Sequence, residues 1–73
     1  MTVDKLSPGT LCMIVDNGTF PTLWIDELGY RRIIRYLKPC TFCLIITHRP
    51  GSAIVLTSSG EVGYVNTLFL VRA

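Results

Sequence analysis

The chain is short of charge. Seven Lys or Arg and five Asp or Glu make up 16% of its 73 residues, where a soluble domain usually carries about 25%. A long apolar run is missing too. The longest stretches without Asp, Glu, Lys or Arg, such as Pro39 to His48 and Pro50 to Gly60, hold about ten residues, against the roughly 18 that a membrane-spanning helix needs. No spanning helix is therefore expected. Asp4 and Lys5, followed by Ser7-Pro8-Gly9, interrupt any apolar core of a secretory signal, so a cytosolic chain is expected. Cysteine is sparse and odd in number. Without export, Cys12, Cys40 and Cys43 are expected as reduced thiols rather than as a disulfide framework. Internal repeats, low-complexity tracts and linkers are also lacking, which leaves one domain over residues 1–73. A chain of this size buries only roughly 60% of the surface its unfolded form exposes, so a full core and a large active-site cavity compete for the same residues.

The charge that is present is unevenly placed. Residues 1–38 hold nine of the twelve charged side chains, whereas residues 39–73 hold only Arg49, Glu61 and Arg72. The second half consists of short strand-like runs, Cys40 to Thr47, Ser52 to Ser58, Glu61 to Asn66 and Thr67 to Arg72. His48-Arg49-Pro50-Gly51 and Ser58-Ser59-Gly60 separate the first three of them as turns. Upstream, Thr10 to Val15 is a strand ended by Asp16-Asn17-Gly18, Phe20 to Ile25 is an extended arm restricted by Pro21, and Asp26 to Gly29 is a turn. Tyr30 to Leu37 fits two periods. Arg31, Arg35 and Lys38 suit a helix, whereas Gly29, Pro39 and the strand propensity of Ile33, Ile34 and Tyr36 favour a strand, which is preferred. Closely spaced strands with tight turns predict a small antiparallel barrel.

Both faces of the later strands are apolar. Phe42, Leu44 and Ile46 alternate with Thr41, Cys43, Ile45 and Thr47, and Ile54 and Leu56 alternate with Ala53, Val55 and Thr57. The second face of each pair is the expected outer one, with Ile45 and Val55 as markers of a surface covered by a loop, a partner or a second copy.

The segment Gly60 to Val71, GEVGYVNTLFLV, resembles the C-terminal signature of Src-homology-3 (SH3) domains, in which a Gly-Tyr-Val strand precedes a 3₁₀ turn and a last strand. The resemblance implies a five-stranded SH3-like barrel. Thr10 to Val15 would be its first strand, Asn17 to Pro39 its long RT-type loop, His48 to Gly51 its n-Src turn and Ser58 to Gly60 its distal turn. The proline-peptide groove of the family does not carry over: Leu11-Cys12-Met13 replaces a Tyr-containing segment, Ala53-Ile54 replaces a Trp, Asn66 replaces a Pro, and only Phe69 stands in for a Tyr. The chain looks more like the minimal SH3-like barrels of tailed-phage and other viral accessory proteins, which implies an adaptor or assembly component in the host cytoplasm.

Three constellations bear on chemistry. Cys40-Thr41-Phe42-Cys43 with Cys12 and His48 offers four zinc-ligand types, but residues three apart on a strand face opposite ways, so buried structural thiols are expected and no metal or other cofactor. Catalysis by a Cys–His pair lacks an orienting group and an oxyanion site. Arg31, Arg32, Arg35 and Lys38 interleave with Tyr30 and Tyr36, a mixture suited to an acidic protein surface or, alternatively, to nucleic acid through the basic patch at 31–38. Trp24 lies in the neighbouring arm, either as an exposed contact or folded back to seal the barrel. The expected activity is protein contact without catalysis, through Phe20, Trp24, Tyr30, Arg31, Arg32, Arg35 and Tyr36.

Overall fold

The computed structural model describes residues 6–73. Asp4 and Lys5, on which the expectation of an unexported chain rests, lie outside the described residues. Seven strands form one antiparallel sheet: β1 (Leu11–Ile14), β2 (Thr22–Glu27), β3 (Tyr30–Tyr36), β4 (Phe42–Arg49), β5 (Ser52–Thr57), β6 (Val62–Asn66) and β7 (Leu70–Arg72). The 3₁₀ turn expected before the last strand is present at Thr67–Phe69, where the Asn66 side chain accepts a hydrogen bond from the Leu68 amide. The strand order is β3-β2-β6-β5-β4-β1-β7. No described helix is long and apolar enough to cross a membrane.

The expectation of a five-stranded barrel needs correction. The arms taken as an RT-type loop are the strands β2 and β3 of the same sheet, which raises the count to seven, and the two ends of that sheet, β3 and β7, do not pair. Residues 30–36 extend as a strand rather than a helix because their backbone groups pair with β2 along its length, from Thr22 opposite Tyr36 to Glu27 opposite Tyr30. Turn chemistry sets the register elsewhere. Pro50-Gly51 supplies a proline φ followed by a positive φ of 79° at Gly51, as a type II turn requires, and joins Arg49 to its partner Ser52.

The sheet curls around a single core. Its inner face carries Cys12, Ile14, Leu23, Cys43, Ile45, Ala53, Val55 and Val65, sealed by Leu6, Phe69 and Leu70. A bulge in β4, with Ile46 inserted between the pairs Ile45–Val55 and Thr47–Ile54, bends that strand and increases its twist. This reverses the expected orientation of β4 and β5. Ile45 (2% exposed) and Val55 (0%) are core residues, whereas Phe42 (48%), Leu44 (42%), Ile46 (44%) and Leu56 (36%) face outward. Cys43, Ile45, Ala53 and Val55 thus share the concave side with Leu23, Phe69 and Leu70, while Phe42, Leu44 and Leu56 lie on the convex side. Phe69, which stands where an SH3 groove has its Tyr, is likewise part of the core.

The orientation has a direct energetic test. Val55→Ala is expected to lower unfolding stability by about 2 kcal/mol, because the residual cavity adds to the lost transfer energy, while Leu56→Ala costs less than about 1 kcal/mol. Urea titration of dilute samples checks the pair, and the opposite ranking would invert the two faces.

Candidate functional site

Strands β2 and β3 form a hairpin at one end of the sheet order, in a molecule with elongated extents of 38 × 24 × 23 Å. Its turn is Leu28-Gly29, between the paired residues Glu27 and Tyr30, with φ of 53° and 83°. Two consecutive positive φ values define a type I′ turn, the form whose twist matches a two-residue hairpin, and Asn, Asp or Gly normally occupy its first central position. A leucine there carries a steric penalty of roughly 1–2 kcal/mol. It is also 92% exposed.

The hairpin is fastened by a stack of rings and cations. β2 meets β6 in a single register pair, Trp24 opposite Tyr64, and their rings stack with centroids 4.6 Å apart and planes 14° apart. The Arg31 guanidinium lies 3.9 Å from the indole centroid. Since 4.6 Å leaves no room for a guanidinium between the rings, Arg31 covers the opposite indole face. Arg49 lies 5.3 Å from the Tyr64 ring. Trp24 is thus 8% exposed and seals the junction of hairpin and sheet. The side chain is therefore folded back rather than exposed, but it lies against Tyr64 and Arg31 on the outer side of the sheet and not over an open barrel end.

The remaining residues singled out in the sequence share the hairpin and are exposed. All seven positions of β3 are accessible to solvent. Tyr30 (78%) stands beside the turn, and Phe20 (79%) and Tyr36 (64%) meet edge to face, centroids 5.9 Å apart, at the base. Between them Arg32 Nε donates to Glu27 Oε2 at 2.8 Å, and Arg35 Nε to Glu61 Oε1 at 2.6 Å. The first is a solvated pair of little energetic weight. The second reaches from β3 to the β5–β6 turn, whose Ser59 hydroxyl also donates to Glu61 Oε1. A cleft of about 570 Å³ opens under Phe20, lined by Pro21, Leu37 and Pro39 with Asp16 at one end. Tyr64 and Arg49 completed the stack without any signal in the sequence, because only the β2–β6 crossing brings them to Trp24.

The cysteines do not converge as the C-x-x-C spacing invites. Cys12 and Cys43 are cross-strand partners in the core, whereas Cys40 is exposed with a φ of 68° in the turn after Pro39. His48 is exposed near the far end of β4. Among the described residues no three His, Cys, Asp or Glu side chains stand together as metal ligands. Burial, reinforced by the neighbouring Cys12, pushes the Cys43 thiol up to about 11, and burial also raises Cys12. Both are therefore neutral thiols at physiological pH and behave as small core hydrophobes.

The stack sets the expected cost of detaching the hairpin. Trp24→Ala should lower stability by about 3 kcal/mol or more, and Arg31→Ala by about 0.5–1 kcal/mol, since only the cation–π contact is lost. Chemical denaturation of both variants checks this; a Trp24→Ala loss no larger than that of Arg31→Ala would deny the indole its fastening role. No family model, curated protein or solved structure matches the chain.

Proposed function

We propose that the chain is a non-enzymatic protein-interaction module, an adaptor or assembly component, whose contact element is the β2–β3 hairpin. Leu28 carries this reading. An apolar side chain at an exposed tip, in a backbone conformation that favours Asn or Gly, gains nothing for the fold, and local rules are broken in this way most often where a residue serves contact. Behind it, Tyr30, Tyr36 and Phe20 offer exposed aromatic anchors, while Arg32 and Arg35, each paired with a carboxylate, add little net charge. β3 is also a sheet edge, paired among the described residues with β2 alone. Its outward N–H and C=O groups suit addition of an extended segment of the partner.

The SH3-like assignment belongs to the same proposal. The run β7-β1-β4-β5-β6, the hairpin between the first strand and β4, and the 3₁₀ turn before β7 support it. So does Gly63 of the Gly-Tyr-Val signature, the point at which β2 crosses β6. A minimal viral barrel acting in the host cytoplasm is the setting that the resemblance implies.

Protein is favoured over nucleic acid as the ligand. Arg32 and Arg35 already hold carboxylates and Arg31 covers Trp24, which leaves little free positive charge for phosphates, and both faces of Trp24 are occupied, so it offers no platform for a base.

Leu28→Asn separates contact from folding. It should raise stability by about 1 kcal/mol, because asparagine tolerates the left-handed turn. The same change should reduce capture of a protein partner from a candidate host lysate at least tenfold, the loss of one anchor of about 1.4 kcal/mol. Thermal melts and quantitative pull-downs measure the two effects. Undiminished capture by Leu28→Asn would overturn the hairpin tip as contact, and salt-sensitive retention of single-stranded DNA with no protein captured would favour the nucleic-acid reading.

A further inference from the structure

The cleft under Phe20 has a volume of about 570 Å³, within the range of roughly 300–1,000 Å³ typical of pockets that hold a compact ligand. Its walls come from residues 16–21, which lead into β2, and from Leu37 and Pro39, which follow β3. Backbone hydrogen bonds fix both sides. The Leu37 amide donates to the Pro21 carbonyl at 2.8 Å, and the Cys40 amide donates to the Ile14 carbonyl at 2.7 Å, which ties Pro39 to the end of β1. Pro21 is fully buried and Leu37 packs against the core, so the apolar lining is rigid as well. Asp16 is the one ionisable side chain in the lining, and the Gly18 amide sets its orientation by donating to Oδ1 at 2.9 Å. Among the described residues no Lys or Arg pairs with it. Lys38 lies between Leu37 and Pro39 in the chain but lines a different groove, with Thr41 and Ser58.

We infer that this cleft receives a lysine or arginine side chain of the protein partner. The inference rests on the reading of the chain as an interaction module and names the chemistry of what it contacts. A basic side chain carries a charged head on an apolar stem. Pro21, Leu37 and Pro39 match the stem, and the Asp16 carboxylate matches the head. The Phe20 ring, 79% exposed and met edge to face by Tyr36, adds a π-face that attracts a cation. The same carboxylate selects against other occupants. A neutral apolar side chain seated here would strip water from Asp16 and return no hydrogen bond or charge, and an acidic one would meet like charge. Arg32 and Arg35 are each held by a carboxylate of the chain itself, so the neighbouring hairpin opposes a basic segment only weakly. At roughly 30 Å³ per water-sized group the cleft is larger than one side chain, which leaves room for the partner backbone on either side of the basic residue.

The probe is the capped tripeptide acetyl-Ala-Lys-Ala-amide, titrated into the native chain and followed by the amide resonances of Gly18 and Thr19. Saturating shifts with a dissociation constant of about 1–10 mM are expected for so small a ligand. The same peptide with norleucine for lysine keeps the stem without the charge, and it should bind at least about threefold more weakly. Asp16→Asn should weaken the lysine peptide to the same degree, since its amide oxygen still accepts from Gly18 and only the charge is lost. Phe20→Leu, at an exposed ring, should weaken it about two- to fivefold and decides the matter if Asp16→Asn loses its fold. Leu28→Asn should bind the peptide as the native chain does, so the cleft and the hairpin tip fail separately. The inference is overturned if no saturable shift appears at about 50 mM peptide, whatever the chain captures from a lysate. Norleucine binding as tightly as lysine, or undiminished binding by the folded Asp16 and Phe20 variants, overturns it too.

Discussion

Strand β2 reaches the rest of the sheet at one place, where it crosses β6 at Gly63 and stacks Trp24 on Tyr64. A Cβ on Gly63 would lie 2.9 Å from both Leu23 Cδ1 and the Trp24 carbonyl oxygen, so the crossing exists only because that residue has no side chain. Two consequences follow from it. Leu23 drops into the core with no exposure at all, closing the concave side, and the indole is left on the convex side between Tyr64 and Arg31. The hairpin beyond that point has no buried face of its own. It keeps its direction because the stack and the Arg35–Glu61 ion pair hold it against the sheet.

The same curvature explains the shortage of charge. A sheet wound this tightly packs its inner face on itself, with Cys12, Ile14, Leu23, Ile45, Val55 and Val65 inside, and leaves Phe42, Leu44, Ile46 and Leu56 on its outer surface. The charge missing from the second half of the chain is thus missing mainly from a convex face that is smooth and apolar. The hairpin, built from the first half, carries Arg31, Arg32 and Arg35 together with Asp26 and Glu27. One small domain thereby carries two kinds of surface, an aliphatic convex face and an exposed hairpin of aromatic and charged side chains.

Much of the fold was legible in the sequence where local chemistry decides it. Pro50-Gly51 and Ser58 to Gly60 mark turns by backbone preference, and the strands between them followed. What depends on tertiary contact was not legible. With both faces of β4 and β5 apolar, alternation identifies the two faces but not which one is concave, and Ile45 and Val55 were placed outside for that reason. Tyr30 to Tyr36 is exposed on both sides, so no buried face imposes a period of two, and its charge spacing mimics a helix. Phe20 to Ile25 was read as a loop arm because Pro21 forbids a ladder bond at one position; the strand begins just after it, at Thr22. The candidate contact residues were legible as a cluster, since they are neighbours in the chain. The role of Trp24 was not, because Tyr64 comes to it from forty positions downstream, and neither was the conformation of Leu28 in an otherwise ordinary turn.

The central claim is that the stack holds a rigid hairpin whose outer strand edge is open for a partner. Amide hydrogen exchange resolved by residue tests it most directly. The inward-pairing amides of β2 and β3 should exchange as slowly as those of β6, while the outward amides of β3 exchange fast in the free protein and slow when the captured partner is bound. Fast exchange throughout Thr22 to Tyr36 would contradict the fastening of the hairpin, and slow exchange along the outer edge of β3 in the free protein would contradict its being open.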